Sequence, residues 1–217
     1  MFKDRKDAGM QLAKKLEDFA GQRNVLVLAL PRGGVVTGVE IANRLKAPLD
    51  VLIVRKIGHP WQPELAVGAI SETGCIVYNE DVVASVGVTK DYLRGEAARQ
   101  RDEIARRRRL YRGGQRLVNL RGKTVILVDD GVATGATMKA AVETLNREQV
   151  GKLVVAVPVV PPGAAAELQR MVDVFVCLAI PEDFMSVGGC YSEFPQVTDA
   201  DVVTLLEDTR SGRRAAA

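Results

Sequence analysis

Asp129 and Asp130 stand side by side directly after the apolar run Val125-Ile126-Leu127-Val128 and directly before Gly131-Val132-Ala133-Thr134-Gly135-Ala136-Thr137. Adjacent carboxylates cannot share one helix cap cheaply, yet beside Mg²⁺, sugar hydroxyls or a transient cation they lower the energy of bound charge. In the stretch that follows, Gly131 and Gly135 let a ligand approach the backbone, and Thr134 and Thr137 add hydroxyl donors. The chemistry such a run could do is to hold a phosphate over a charged floor. The plain alternative is an acidic cap on a helix. No Gly-x-x-x-x-Gly-Lys-[Ser/Thr] occurs in the chain, so a P-loop nucleotide site does not compete.

Two more stretches mix cations with turn residues. In Leu30-Pro31-Arg32-Gly33-Gly34 an Arg lies between Pro and two glycines, which can turn backbone amides and a guanidinium toward an anion. A plain turn between strand and helix would use the same residues. In Val54-Arg55-Lys56-Ile57-Gly58-His59-Pro60-Trp61-Gln62-Pro63-Glu64 two cations meet the chain's one His and one Trp. That stretch is too polar and Pro-rich to be expected as regular structure; His59 is expected as a surface loop residue and Trp61 as a hydrophobic plug, each set beside a catalytic alternative.

Positioning these residues calls for a sheet with helices on its faces. Four apolar residues at 125–128, three of them β-branched, suit a strand covered on both sides. Ligands of open α/β sheets lie beyond the carboxyl ends of strands, where a following helix offers unpaired N–H groups and its positive dipole end. Ala8, Leu12, Leu16 and Phe19 recur at helical spacing and predict an amphipathic helix ending near Gly21. Strands are expected at 24–30, 50–54, 153–157 and 173–178, with helices to Leu45, from about Thr137 and over 164–171. Residues 66–70 and 75–78 read as a hairpin around Glu72-Thr73-Gly74. Strand and helix alternate as in a mostly parallel α/β sheet. The chain is expected to form a single domain over 1–217. Its α/β core spans about 24–180, and a helical insertion near 89–112 projects from it. The N-terminal helix and 181–210 form a small hood or lid, and 211–217 a frayed tail.

Composition bounds the rest. With 47% hydrophobic and 26% charged residues over 217, the chain suits a folded soluble domain and has neither a membrane-length apolar run nor an apolar leader, so the cytoplasm is expected. Cys75, Cys177 and Cys190 lack metal-ligand spacing and are expected as buried reduced thiols. Helix 91–111 and its continuation carry Arg94, Arg99, Arg101, Arg106, Arg107, Arg108, Arg109, Arg112 and Arg116, relieved by Glu96, Asp102 and Glu103, in a chain of net charge only +3. A solvated face or subunit interface, as in a homodimer, is the favoured reading of this strip, with nucleic acid as the alternative.

The run 125–137 resembles the phosphoribosyl-pyrophosphate (PRPP) loop of type I phosphoribosyltransferases, in which two acidic residues precede a small-residue loop with Thr and Gly. Residues 31–34 resemble the pyrophosphate loop of the same family, and Arg55-Lys56 match its Arg-Lys in type and place. The resemblance covers roughly 24–195 and is strongest at the PRPP loop. Ala133 and Glu72-Thr73-Gly74 are similar to adenine-type enzymes; Val174-Phe175-Val176 and Ile180-Pro181-Glu182-Asp183-Phe184 resemble the base-stacking strand and acidic base-contacting turn of 6-oxopurine enzymes. These signals conflict, so the base stays open.

The resemblance implies the type I fold and Mg²⁺-dependent transfer of the 5-phosphoribosyl group of PRPP to a nucleobase, purine-like, with release of pyrophosphate. It implies that residues 131–137 hold the 5-phosphate; that Arg32, Gly33, Gly34, Arg55 and Lys56 hold pyrophosphate; and that Asp129 and Asp130 hold the ribose hydroxyls and, directly or through water, the metal. Phe175, Val176, Glu182 and Phe184 are the implied base contacts, and a non-proline cis peptide is expected around Arg32. For proton transfer Glu72 is placed first and Glu64 second. The alternatives are a non-catalytic PRPP- or nucleotide-sensing regulator with the basic helix as its nucleic-acid face, and an enzyme for a different PRPP acceptor.

Overall fold

The computed structural model describes residues 1–62 and 65–214. In chain order the elements are α1 (Arg5–Lys15), β1 (Val25–Ala29), α2 (Gly33–Leu45), β2 (Leu49–Val51), β3 (Val54–Gly58), β4 (Ala66–Ser71), β5 (Ile76–Tyr78), α3 (Glu80–Val86), α4 (Lys90–Arg112), β6 (Thr124–Val128), α5 (Ala136–Arg147), β7 (Lys152–Val159), α6 (Pro162–Gln169), β8 (Val174–Ala179) and α7 (Asp199–Arg214). Five strands form a parallel sheet in the order β2-β1-β6-β7-β8. Every residue of β1 and β6 is buried, because helices cover both faces, as the continuous apolar runs require. The expected α/β sheet flanked by helices is therefore what the chain forms.

Alternation along the strands divides the core in two. Val25, Val27 and Ala29 join Ile126 and Val128 on the α1/α2 side, whereas Leu26, Leu28, Val125 and Leu127 join the α5 side. α1 is capped by Asp4, whose carboxylate accepts from the Asp7 amide at 2.8 Å. It lies close on α2 at Gly9, where a Cβ would come 2.8 Å from the Thr37 carbonyl oxygen.

A second sheet, antiparallel in the order β3-β4-β5, corrects the reading of 54–58 as irregular, while 59–62 lie in no regular element. The main sheet ends at Val51; Leu52 still donates to the Ala29 carbonyl at 3.0 Å. The Ile53 amide donates instead to Glu72 Oε1 at 2.9 Å, and the chain enters β3. The β4–β5 hairpin lies where the sequence puts it.

The basic helix is not a projecting insertion. Leu93, Ala97, Ile104 and Tyr111 make one buried stripe on α4, joining the core cluster that also holds Ile57, Ile70 and Leu206. The expected lid over 181–210 divides likewise. Residues up to 198 close over the carboxyl end of the sheet, but α7 buries Val202 and Leu206 in the main core. A reciprocal cap starts it: the Thr198 amide donates to Asp201 Oδ2 at 2.8 Å, and the Asp201 amide to Thr198 Oγ1 at 3.2 Å. The helix runs through Arg214, so 211–214 belong to it, and 215–217 of the expected tail lie outside the described residues. The three cysteines are free thiols, each half-buried.

Candidate active site

Asp129 and Asp130 follow β6 at the carboxyl end of the sheet, and Asp129 Oδ1 accepts from the Asp130 amide at 2.8 Å. The loop then crosses to β7, where the Val132 amide donates to the Val159 carbonyl at 2.8 Å. Gly135 precedes α5 with φ 82°, a left-handed conformation that favours glycine. The first-turn amides of α5 have no acceptor within the helix and point where an anion can take them. Residues 131–138 enclose a cavity of ≈ 200 Å³ with Lys56, Asp129 and Val187. Three separate elements therefore converge on one small-residue cradle.

The two glycines at the start of α2 explain how the loop at 31–34 reaches the carboxylates. A Cβ on Gly33 would fall on Asp130 Oδ2, and one on Gly34 would lie 2.9 Å from both the Asp129 Cα and its Oδ1. The peptide bond between Pro31 and Arg32 is cis, in the place the resemblance implied. Burial, and then the neighbouring Asp130 charge, push the Asp129 carboxyl well above its ordinary range.

Residues the sequence did not single out complete the arrangement. Arg5 Nε donates to Asp130 Oδ2 at 2.6 Å, with side chains 9% and 15% exposed. Arg5 Nη1 donates to the Pro195 carbonyl at 2.7 Å, and the guanidinium lies 3.6 Å from the Phe194 ring centroid. The Tyr191 hydroxyl donates to the Asp130 carbonyl, and burial raises its pKa. Phe2, Tyr191, Phe184 and Val187 share one apolar cluster, tied by the Phe2 amide to the Cys190 carbonyl at 2.9 Å. The N-terminus and the segment before α7 thus form one hood clamped onto Asp130. Arg5 lies at the first turn of a plain amphipathic helix, so nothing local to it signals a partner 125 residues away.

The remaining candidates are dispersed. Lys56 borders the cradle, whereas Arg55, its strand neighbour on β3, donates from Nε to Gln100 Oε1 at 2.9 Å on α4. Burial, followed by the charge of Arg107, lowers the Arg55 pKa. Arg32 lies 3.9 Å from Asp199 Oδ1, which accepts from Tyr111 Oη at 2.5 Å, while Asp199 Oδ2 accepts from Arg106 Nη2 at 2.8 Å. Hydrogen bonds from Arg106 and Arg107 hold the Glu103 carboxyl down to about 2 against some desolvation, so part of the Arg strip is internal ion pairing.

Glu72, placed first for proton transfer, is a buried tie instead. Its Oε1 accepts from Ile53 and its Oε2 from Arg112, and burial raises its pKa despite that cation. It borders a different cavity from the cradle. Glu64 lies outside the described residues. Phe175 and Val176 pair in register with Val155 and Ala156, at the level of Leu127 and Val128. They sit within the sheet and join opposite core clusters, so the two cannot line one base site. Glu182 is exposed; Phe184 alone of the four belongs to the hood. His59 and Trp61 reverse their expected places: His59 is 9% exposed and Trp61 86%.

An open parallel sheet whose central strand ends in two carboxylates and a glycine-bounded cradle defines an α/β protein with a ligand site at the strand ends. The chain belongs to the phosphoribosyl transferase domain family, whose sequence model matches residues 2–193. It is 44% identical over 207 residues to a Mycobacterium tuberculosis protein provisionally named a phosphoribosyl transferase, covering 95% of this chain and 46% of that protein. The chain thus spans about half the length of the curated relatives it matches. Among solved structures it is similar to the TT1426 protein of Thermus thermophilus, with TM-score 0.81, 44% identity and coverage of 96% of this chain and 98% of that one. The AQ2163 protein of Aquifex aeolicus, with TM-score 0.53 and 13% identity over 93% of this chain and 84% of that one, shares the fold. Among the described residues no helix is long and apolar enough to cross a membrane.

Proposed function

We propose that this chain transfers the 5-phosphoribosyl group of PRPP to a nucleobase, releasing pyrophosphate. The observation that carries the reading is the junction at which Gly33 and Gly34 seat the pair Asp129–Asp130 beside the cradle at 131–138 and Lys56. The cradle's amides and hydroxyls hold the 5-phosphate, remote binding that orients the ribose carbon for attack. The Asp129 carboxylate meets the ribose hydroxyls and favours the cationic sugar of an oxocarbenium-like transition state. Burial and the Asp130 charge raise its pKa without ligand, and a cation developing beside it favours the ionised form. Asp130, already held by Arg5, places the backbone and hood. Lys56 and the Arg32–Gly34 loop meet the departing pyrophosphate, and Phe184 offers an apolar ring to a planar base.

Mg²⁺ fits these residues in one manner. Among the described residues no group of three or more His, Cys, Asp or Glu could hold a metal alone. Mg²⁺ characteristically takes one or two carboxylates and completes its shell with phosphates and water. Asp129, with Asp130 directly or through water, would hold it together with the polyphosphate, where it would neutralise the leaving group.

The test is pyrophosphate release from PRPP and Mg²⁺ over a panel of purine and pyrimidine bases. Base-dependent release that disappears in Asp129→Asn/Asp130→Asn is expected; activity retained in that double variant would refute the assignment. Release with none of the bases, alongside tight PRPP binding, would favour a sensor on the same fold. The arginines already paired with Glu103, Asp199 and Glu72 leave less of the basic helix for nucleic acid than its sequence suggests.

A further inference from the structure

Several features that the PRPP-loop chemistry does not use meet at one place. Glu72 and Thr73 of the hairpin turn, Arg108 from the last turns of α4 and Arg116 beyond it border a cavity of ≈ 430 Å³. It shares no lining residue with the cradle at 131–138. Leu117 and Val118 give it an apolar side, and Val118 is half exposed. The carboxylates facing it are Glu72 and Glu148; Glu72 is already satisfied by the Ile53 amide and Arg112.

The region is short of acceptors. Arg108, which borders the cavity, has its Nε buried with no hydrogen-bond partner; Arg112 pairs with Glu72 from outside the lining, and its Nε lies 3.9 Å from Asp50 Oδ1. A buried guanidinium nitrogen left without an acceptor loses its hydration for no return, and native proteins seldom tolerate this without a bound partner. Among the described residues Arg108 and Arg116 have no ion pair. Two guanidiniums with the Thr73 hydroxyl and the Asn119 amide make a donor-rich wall, and a guanidinium fork suits the oxygens of a phosphate. Beside that wall lies the apolar strip for a non-ionic body.

We propose that this cavity is a second anion site, distinct from the PRPP loop, that binds a phosphate-bearing small molecule through Arg108 and Arg116. The ligand's phosphate sits between the two guanidiniums, and the remainder of a phosphomonoester lies along Leu117 and Val118. A free phosphate would use the same cations without the strip.

The experiment is titration calorimetry of the full chain at low salt, with inorganic phosphate and adenosine 5′-monophosphate as separate probes. It is run on the Gly135→Val variant, in which binding at the loop is expected to be weakened. One equivalent of probe should still bind. Adding Arg116→Gln or Arg108→Gln should weaken it roughly tenfold or more, the loss of one charge-assisted hydrogen bond. Tighter binding of the nucleotide than of phosphate, with the difference removed by Val118→Asp, identifies a phosphomonoester site; equal binding identifies a site for free phosphate. Arg116 is exposed, so Arg116→Gln decides the matter even if the Arg108 variant fails to fold. No saturable binding in Gly135→Val, or binding unchanged by Arg116→Gln, would overturn the proposal. Failure of the PRPP-loop reading looks different: wild type and Gly135→Val would then bind alike while the Arg116 dependence persisted.

Discussion

Replacing Arg5 with Met should detach the hood from the acidic strand end. The substitution keeps much of the stem volume and removes the guanidinium, leaving Asp130 with a buried, unpaired charge. Breaking a fully buried ion pair from one side costs about 3–5 kcal/mol. Here the Asp130 side chain is 15% exposed toward the cleft, which moves the expectation to the lower end. The other two contacts contribute less. Pro195 is exposed, so water can replace Arg5 at its carbonyl, and the partly exposed Phe194 ring offers a cation roughly 0.5–1 kcal/mol. The expected loss is about 3 kcal/mol, or some 6–12 °C in Tm for a domain of this length. Urea unfolding followed by two probes measures it, provided the transitions coincide. Because Met also changes packing, the decisive quantity is a double-mutant cycle with Asp130→Asn, which should return a coupling of at least about 1.5 kcal/mol. A coupling below about 0.5 kcal/mol would refute the claim that the pair clamps the hood, whatever the single variants do.

Asp129→Asn should reduce base-dependent pyrophosphate release by about 100-fold or more, the scale for loss of one preorganised electrostatic group. Its urea midpoint should not fall, and steady-state kinetics beside an unfolding curve checks both. Gly135→Val should weaken PRPP and nucleoside monophosphate at the loop together, since the glycine has φ 82° and the side chain would meet Lys139 and Ala164; unchanged calorimetric affinity for both would remove the loop as the 5-phosphate site. Glu103→Gln tests the ion-pair cluster on α4 through pH. The Glu103 carboxyl is held down to about 2, so its contribution is fully present above the ordinary Glu range and fades as pH falls toward that value. Thermal melts of wild type and variant should differ by about 1 kcal/mol or less at neutral pH, because Arg106 is partly solvated, and the gap should narrow below the ordinary Glu range and close only as pH falls through about 2. A gap that widens on acidification would contradict the pairing.

Much of the site was legible because its parts are local. A buried strand, two carboxylates and a glycine-bounded turn into a helix are consecutive between 125 and 137, and nearest-neighbour geometry carries them to the carboxyl end of a sheet without knowledge of the rest. The same holds for 30–34, where strand, turn and helix are contiguous. α7 had a local signal that patterning of its surroundings obscured: Thr198 and Asp201 form a reciprocal cap ahead of Val202, Val203, Leu205 and Leu206.

Tertiary structure decided what depends on pairing across the chain. Alternation sends Phe175 and Val176 to opposite faces, but only the register with Val155 and Ala156 shows that they lie inside β8, level with the last two residues of β6. Glu72 has the type and motif of a catalytic acid, and its partners, the Ile53 amide and Arg112, decide otherwise. Arg5, Tyr191 and Asp130 lie far apart in the chain, and none has a spacing that predicts the others. The amino-acid sequence determined which residues are candidates for the proposed phosphate and sugar contacts, because those candidates reside in short backbone runs. Which charges remain available to a ligand was decided by folding, because availability depends on whichever distant cation or amide reaches the carboxylate first.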